Sequence, residues 1–258
     1  MQKSFTIRQR VKNWLRLIRV PNLFTVPGDL LAGFFIATYS GINTGLDFSM
    51  CAPLAGLIFI SLLTYSAGLI DNDLQDVARD KALRPDRPIP SGAISPRHAA
   101  VVMLCMIAAV MFGAFLLAGK NLYSPIFRIA GGLVAAVLLY NRIKNCSKIL
   151  GAFLMGICRG ANILLGAVLL GWSGAKASAP YATAVAIYII VVTLLATQEA
   201  KYPKLPAIIG VLIRLLIPIQ IVAILWVSAP ALPGIICSAL LCLCFFASRS
   251  LARKFYAS

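Results

Sequence analysis

At 258 residues, 60% of them hydrophobic and 12% charged, the chain is too apolar for a water-soluble domain, and its mean hydropathy of +0.88 agrees. Apolar runs of about 20 residues recur along it, the length that crosses a hydrocarbon core roughly 30 Å thick, and their continuity excludes a β-barrel. The net charge of +16 needs no nucleic acid, because anionic membrane lipids are sufficient partners.

The expected fold class is therefore all-α, a polytopic membrane helical bundle forming a single domain over residues 1–258. Eight spans are expected near residues 21–40, 52–70, 97–118, 125–141, 150–171, 180–198, 205–226 and 230–247. Ahead of them lies a basic arm, residues 1–20, containing "KSFTIRQRVKNWLRLIR". It is expected on the cytoplasmic membrane surface with Trp14 at the interface. The first span is too long for a cleaved signal peptide and lacks a small-residue cleavage site. With the N-terminus in the cytoplasm, the inside segments are 1–20, 71–97, 142–149, 199–204 and 248–258. They hold 19 of the 24 Lys and Arg, and the outside loops hold only Lys120 and Lys176. That asymmetry predicts a multi-pass protein with both termini cytoplasmic, and the membrane is expected to be of the bacterial inner or plasma type.

Along the chain, the first unusual residue is Asp29, in the middle of span 1. The next is a cluster, "LIDNDLQDVARDKALRPDRPIPSG" (69–92), which holds five of the eight acidic residues: Asp71, Asp73, Asp76, Asp80 and Asp86. If span 2 continues as a helix past Ile70, then Asn72, Asp76 and Asp80 share one face with Asp73 beside it. Like charges four apart weaken a helix by roughly 0.2–0.5 kcal/mol per pair, so stability alone would not stack them. A divalent cation removes the repulsion, and carboxylate and amide oxygens suit Mg²⁺. Arg79, Lys81, Arg84 and Arg87 follow, and arginines beside a metal-holding acidic face make a diphosphate site. The chemistry that suits it is departure of diphosphate from an allylic carbon, with charge on the leaving oxygens stabilised by metal and cationic side chains. A solvated loop of mixed charge is the competing reading of this stretch. In "ISPRHAA", Ser95 is expected to cap span 3, with Pro96 at its first position. The seven cysteines are scattered and His98 stands apart, so free thiols behaving as small apolar residues are expected rather than a metal or disulfide framework.

The stretch resembles the UbiA family of intramembrane prenyltransferases. Its NDxxDxxxD motif is present as Asn72, Asp73, Asp76 and Asp80, and its RPxPSG-like turn as "RPIPSG" (87–92). "IRVPN" (18–22) resembles the start of the family's first span, where an Arg and an Asn approach the active site. "YNRIK" (140–144) resembles its Y-x-x-x-K, with Lys144 as a diphosphate contact. These matches cover about the first 60% of the chain. The segment "MGICRGANILLG" (155–166) is also similar to a divergent bacterial subgroup encoded in Ebo-type clusters. The resemblance implies a central cavity open to the cytoplasmic side, Mg²⁺ as cofactor, and transfer of an isoprenyl group from its diphosphate to a lipophilic or aromatic acceptor. It implies catalytic roles for Asp73, Asp76, Asp80 and Lys144. Diphosphate contacts are expected at Asn22, Asn72, Arg84, Arg87, Lys144, Arg159 and Asn162, and metal ligation at Asn72, Asp76, Asp80 and Glu199. Two departures stand out. The family usually has nine spans where eight are found here. Its second acidic cluster is represented only by Glu199 in "TLLATQEAKYPK" (193–204).

Arg159, near the middle of span 5, costs roughly 2.5–3.5 kcal/mol on insertion scales unless it finds a partner or a wet cavity. Asn162 lies on the same face. A structural Asp29–Arg159 pair and a substrate contact are both open. Arg214 is expected to snorkel or pair with Glu199, and Arg128 to snorkel. Three other functions compete with prenyl transfer: a membrane transporter, a catalytically inactive UbiA-like protein and a CDP-alcohol phosphotransferase. "DLQDVAR" (73–79) matches the phosphotransferase pattern poorly.

Overall fold

Thr6 caps the first helix by accepting from the Gln9 amide, with the Gln9 side chain returning the bond. The helix that follows, α1 (Ile7–Leu17), ends at a joint where Arg19 takes a φ of +48° before a short α2 (Val20–Leu23) and then α3 (Val26–Tyr39). The remaining helices are α4 (Cys51–Gln75), α5 (Val77–Leu83), α6 (Pro96–Leu117), α7 (Pro125–Ile143), α8 (Lys148–Ala167), α9 (Gly171–Ala196), α10 (Leu205–Ser228) and α11 (Leu232–Tyr256). This is a computed structural model, and it describes residues 6–40, 48–199, 202–228 and 231–256. The first five residues of the basic arm, and residues 200–201 of the expected inside loop, lie outside them.

The protein is an all-helical integral membrane protein. Seven helical stretches among the described residues are long and apolar enough to cross a membrane. One of them, Lys148–Ala196, runs to 49 residues. A 3₁₀ turn at Val168–Leu170 breaks it into α8 and α9, which fold back on each other. Gly156 faces the Ala186 carbonyl, Gly160 the Ala182 carbonyl and Gly174 the Ala167 carbonyl, an antiparallel register. Each of the eight segments read from the sequence falls on one of α3, α4 and α6–α11. Ser95 caps α6 as expected, with Pro96 at its first position.

The segment Val20–Tyr39 is the most enclosed, 67% buried against 11% for α6, so α3 is the central post and α6 a peripheral helix facing lipid. Without a hydrophobic drive between helices in lipid, close packing depends on small residues. A side chain at Gly33 would meet the Ile163 carbonyl, and one at Gly166 the Leu30 carbonyl, so α3 and α8 touch backbone to backbone, antiparallel. Gly166→Ala is expected to cost about 1–3 kcal/mol by overpacking this contact. Gly132→Ala, with nothing within 4 Å of the new methyl, is not expected to destabilise. Thermal unfolding of the two variants in detergent separates the cases, and equal melting would show that α3 and α8 are not in this contact.

Candidate active site

The α4 ladder does not stop at the acidic cluster. Helix α4 ends at Gln75, Asp76 is a joint at φ −89°, ψ 4°, and α5 resumes at Val77. The joint keeps four-residue spacing, since Asp76 N donates to Asn72 O (3.1 Å) and Asp80 N to Asp76 O (2.8 Å). The chain then turns at 84–87 and comes back over its own acids. In the proline loop, Ser91 N donates to Arg87 O (2.9 Å) and Ile94 N to Pro88 O (2.9 Å). Gly92 holds a φ of +75°, which a side chain would strain.

That return places Arg87 between two carboxylates. Its Nη1 donates to Asp80 Oδ2 at 2.6 Å and to Asp73 Oδ1 at 3.5 Å. Arg19, from the α1–α2 joint, also donates to Asp73 Oδ1 at 2.8 Å. Asp73 and Asp80 are buried and line neither cavity described below, so they act as anchors for arginines. Asp76 is different: it is 3% exposed yet belongs to a cavity wall. Lys144 donates to its Oδ2 at 2.8 Å and Arg79 at 3.1 Å, while Asn145 donates to its Oδ1 at 3.1 Å. Lys144, at the C-terminal end of α7, also donates to Asn72 Oδ1. Burial pushes the Asp76 carboxyl up, but the hydrogen bonds from Lys144 and Asn145 and the charges of Lys144 and Arg79 outweigh it, leaving it below the usual carboxylate value.

Two adjoining cavities meet here. The first, about 410 Å³, is a polar basin lined by six cations (Arg19, Arg79, Arg84, Arg87, Lys144, Lys148) against two carboxylates, Asp76 and Glu199. The second, about 390 Å³, is a largely apolar chamber between α3, α4, α7, α8, α9 and α10, with walls that include Leu69, Leu133, Val137, Met155, Ile189 and Ile213. Arg19, Asn72, Tyr140, Thr193, Ala196 and Glu199 border both.

The expected residues divide accordingly. Asn72, Asp76, Arg84, Arg87, Lys144 and Glu199 meet around the basin, and Asn22 lines the chamber. Arg159 and Asn162 also line the chamber, but their polar atoms are engaged elsewhere. Arg159 is ion-paired with Asp29 and donates to Thr25 Oγ1 at 3.0 Å. Asn162 donates to Val26 O (3.1 Å) and Asp29 Oδ2 (3.5 Å) and accepts from Ser61. Arg214 and Glu199 do not pair among the described residues, and Arg128 lies over the Tyr123 ring. Nor do three His, Cys, Asp or Glu side chains converge among the described residues, so the expected four-residue metal set is not preassembled. Sequence reading passed over Asn145 and Lys148, next to residues it did use, and Gln220, a lone amide inside the apolar run of α10.

The model of the UbiA prenyltransferase family matches residues 30–256. A digeranylgeranylglyceryl phosphate synthase from Methanococcus aeolicus is 32% identical over 165 residues, covering 63% of this chain and 54% of that relative. One from Methanosarcina mazei is 30% identical over 173 residues, covering 65% and 58%. The chain thus spans about half the length of the curated relatives it matches. A solved structure of a digeranylgeranylglyceryl phosphate synthase in membranes has the same fold, with a TM-score of 0.57 at 20% identity over 95% of this chain and 88% of that one. With the acidic helix, the proline loop and the lysine of α7 gathered at one basin, and a family match running almost from end to end, the chain belongs to the UbiA prenyltransferase family.

Proposed function

We propose that the protein transfers an isoprenyl group from its diphosphate to a lipophilic acceptor. The observation that carries this reading is the continuity of the cationic basin with the apolar chamber through one shared rim. An isoprenyl diphosphate has the same two halves, a multiply charged head on an apolar tail. Arg84, Arg87, Lys144 and Lys148 would take the phosphate oxygens, and the chamber would take the tail. In the reaction the C1–O bond breaks with its electron pair on diphosphate, the acceptor nucleophile bonds to C1, and its proton is lost. The basin's fixed cations stabilise the charge on the leaving oxygens without reorganising. The relatives' name points to a long donor and a glycerophosphate-type acceptor.

The donor set fits Mg²⁺ in one respect. Lys144 already places a cation between Asn72 Oδ1 and Asp76 Oδ2, so these two oxygens face a common point. Asn72 and Asp76, with Glu199 of the same basin, would hold the ion, its shell completed by water and diphosphate oxygens. Bound there, Mg²⁺ would supply charge neutralisation of the leaving diphosphate. The charge asymmetry of the loops supports a basin at the cytoplasmic face. The ion pair between Asp29 and Arg159 favours a structural role for these charges over a transport pathway.

Isothermal titration of the purified protein with geranyl and geranylgeranyl diphosphate, in Mg²⁺ and in EDTA, tests the reading. Mg²⁺-dependent binding is expected, tighter for the longer chain. Absence of binding in both conditions would leave the fold without this function.

A further inference from the structure

Helix α1 carries a feature that the basin does not use. Its sequence, IRQRVKNWLRL, has no acidic residue. Ile7, Val11, Trp14, Leu15 and Ile18 recur at helical spacing along one side. Only the C-terminal half of this stripe finds protein. Leu17 is fully buried, and Trp14 and Ile18 pack with it against Ile70, Ile89 and Ile94. Trp14 packs against this cluster and stays partly exposed. Ile7 and Val11 are 82% and 52% exposed, with Arg8, Arg10 and Lys12 beside them.

The setting identifies the partner. The membrane-crossing stretch Val20–Tyr39 starts three residues after α1 ends. An 11-residue helix is about 16 Å long, so its free half cannot lie far from the bilayer surface. A short apolar stripe flanked by Arg and Lys suits the headgroup boundary of an anionic leaflet.

The last turn of α1 and the joint after it also grip the active-site end of the bundle at three points. Arg16 Nη2 donates to Asp86 at 3.2 Å, Leu17 packs on Ile89 and Ile94 of the proline loop, and Arg19 reaches Asp73. Arg19 does so from a left-handed conformation that costs a non-glycine residue energy and must be held by its surroundings.

We propose that α1 docks on anionic lipid headgroups through Ile7, Val11, Arg8, Arg10 and Lys12, and that this docking steadies the proline loop and the acidic helix through Arg16, Leu17 and Arg19. The docking stands independently of the diphosphate reading.

Hydrogen–deuterium exchange of the full chain in nanodiscs of phosphatidylcholine, with or without phosphatidylglycerol, tests it. With phosphatidylglycerol, amides in 8–17 are expected to exchange at least about tenfold more slowly, because three cations each gain from the surface potential. Peptides across 84–94 slow with them. Roughly 1 M salt, which screens charges within about 3 Å, reverses both effects. So does the triple change Arg8→Gln, Arg10→Gln, Lys12→Gln, and the salt arm serves if that variant does not fold. Inorganic phosphate added to phosphatidylcholine discs gives no protection. Equal exchange in the two discs overturns the docking. Protection of 8–17 with 84–94 unchanged overturns the coupling, and protection that survives both salt and the triple change overturns the assignment to charged headgroups. Because no prenyl substrate is present, failure here is distinct from failure of donor binding.

Discussion

Asp76→Asn is expected to lower diphosphate release from geranylgeranyl diphosphate by about a thousandfold in a protein that still assembles. Asp76 is the one carboxylate of the acidic helix that is both buried and part of the basin wall. It fixes Lys144, Arg79 and Asn145 at once, through both oxygens. An amide keeps the shape but removes the charge that orients the Lys144 ammonium and that would ligate a cation. The folded protein holds this carboxyl below its usual value of 3.8. A depressed folded value contributes stability above the unfolded value and loses it as pH falls through the folded one. Asp76 is therefore ionised at neutral pH, and its share of stability is lost only as pH falls below the ordinary carboxylate range. Native membranes, where the acceptor is present, are the place to measure release, with size-exclusion profiles as the control for assembly. Asp80→Asn should also reduce it, by a different route: it releases Arg87, whose 2.6 Å bond to Asp80 is its closest contact. Full activity in both variants would sink the assignment of this helix to the chemistry.

How much of this was legible beforehand depends on the kind of contact. The helices were legible because each apolar run is long and bounded by polar or glycine-containing turns, and the capping of α6 by Ser95 follows from local chemistry. The gathering of Asn72, Asp76 and Lys144 was legible through the spacing of the acids and the family resemblance. The split among the acids was not. Asp73 and Asp80 turn to Arg19 and Arg87 rather than into the basin, and that depends on where the proline loop folds back, which no local pattern dictates. The ambiguity of Arg159 was also real, since a charge in a span can face a substrate or a partner with equal sequence cost. Gln220 could have decided it. A single amide in the run "LIPIQIVAIL" of α10 needs a buried partner, and Asp29 is that partner.

Asp29→Ala and Arg159→Ala are each expected to cost about 3–5 kcal/mol of stability, and Asp29→Leu combined with Arg159→Met to recover most of it. Asp29 is fully buried in the central post and Arg159 nearly so. Around them Gln220 donates to Asp29 Oδ1 at 2.6 Å, and Thr25 accepts from Arg159, so α3, α8 and α10 meet at one polar knot. Ser61 joins α4 to it through Asn162. Gly28 makes the knot possible, because a side chain there would collide with the Gln220 amide. Removing either charge leaves the other unpaired in a medium with little water, the costly case. Removing both leaves apolar side chains of similar length, and only the neutral amides must adjust. Thermal unfolding of the parent protein and these three variants in one detergent compares the cost of losing one charge with that of losing both. A normal melt for Arg159→Ala, with only donor binding weakened, would mean that the guanidinium serves the substrate and that Asp29 does not need it to fold.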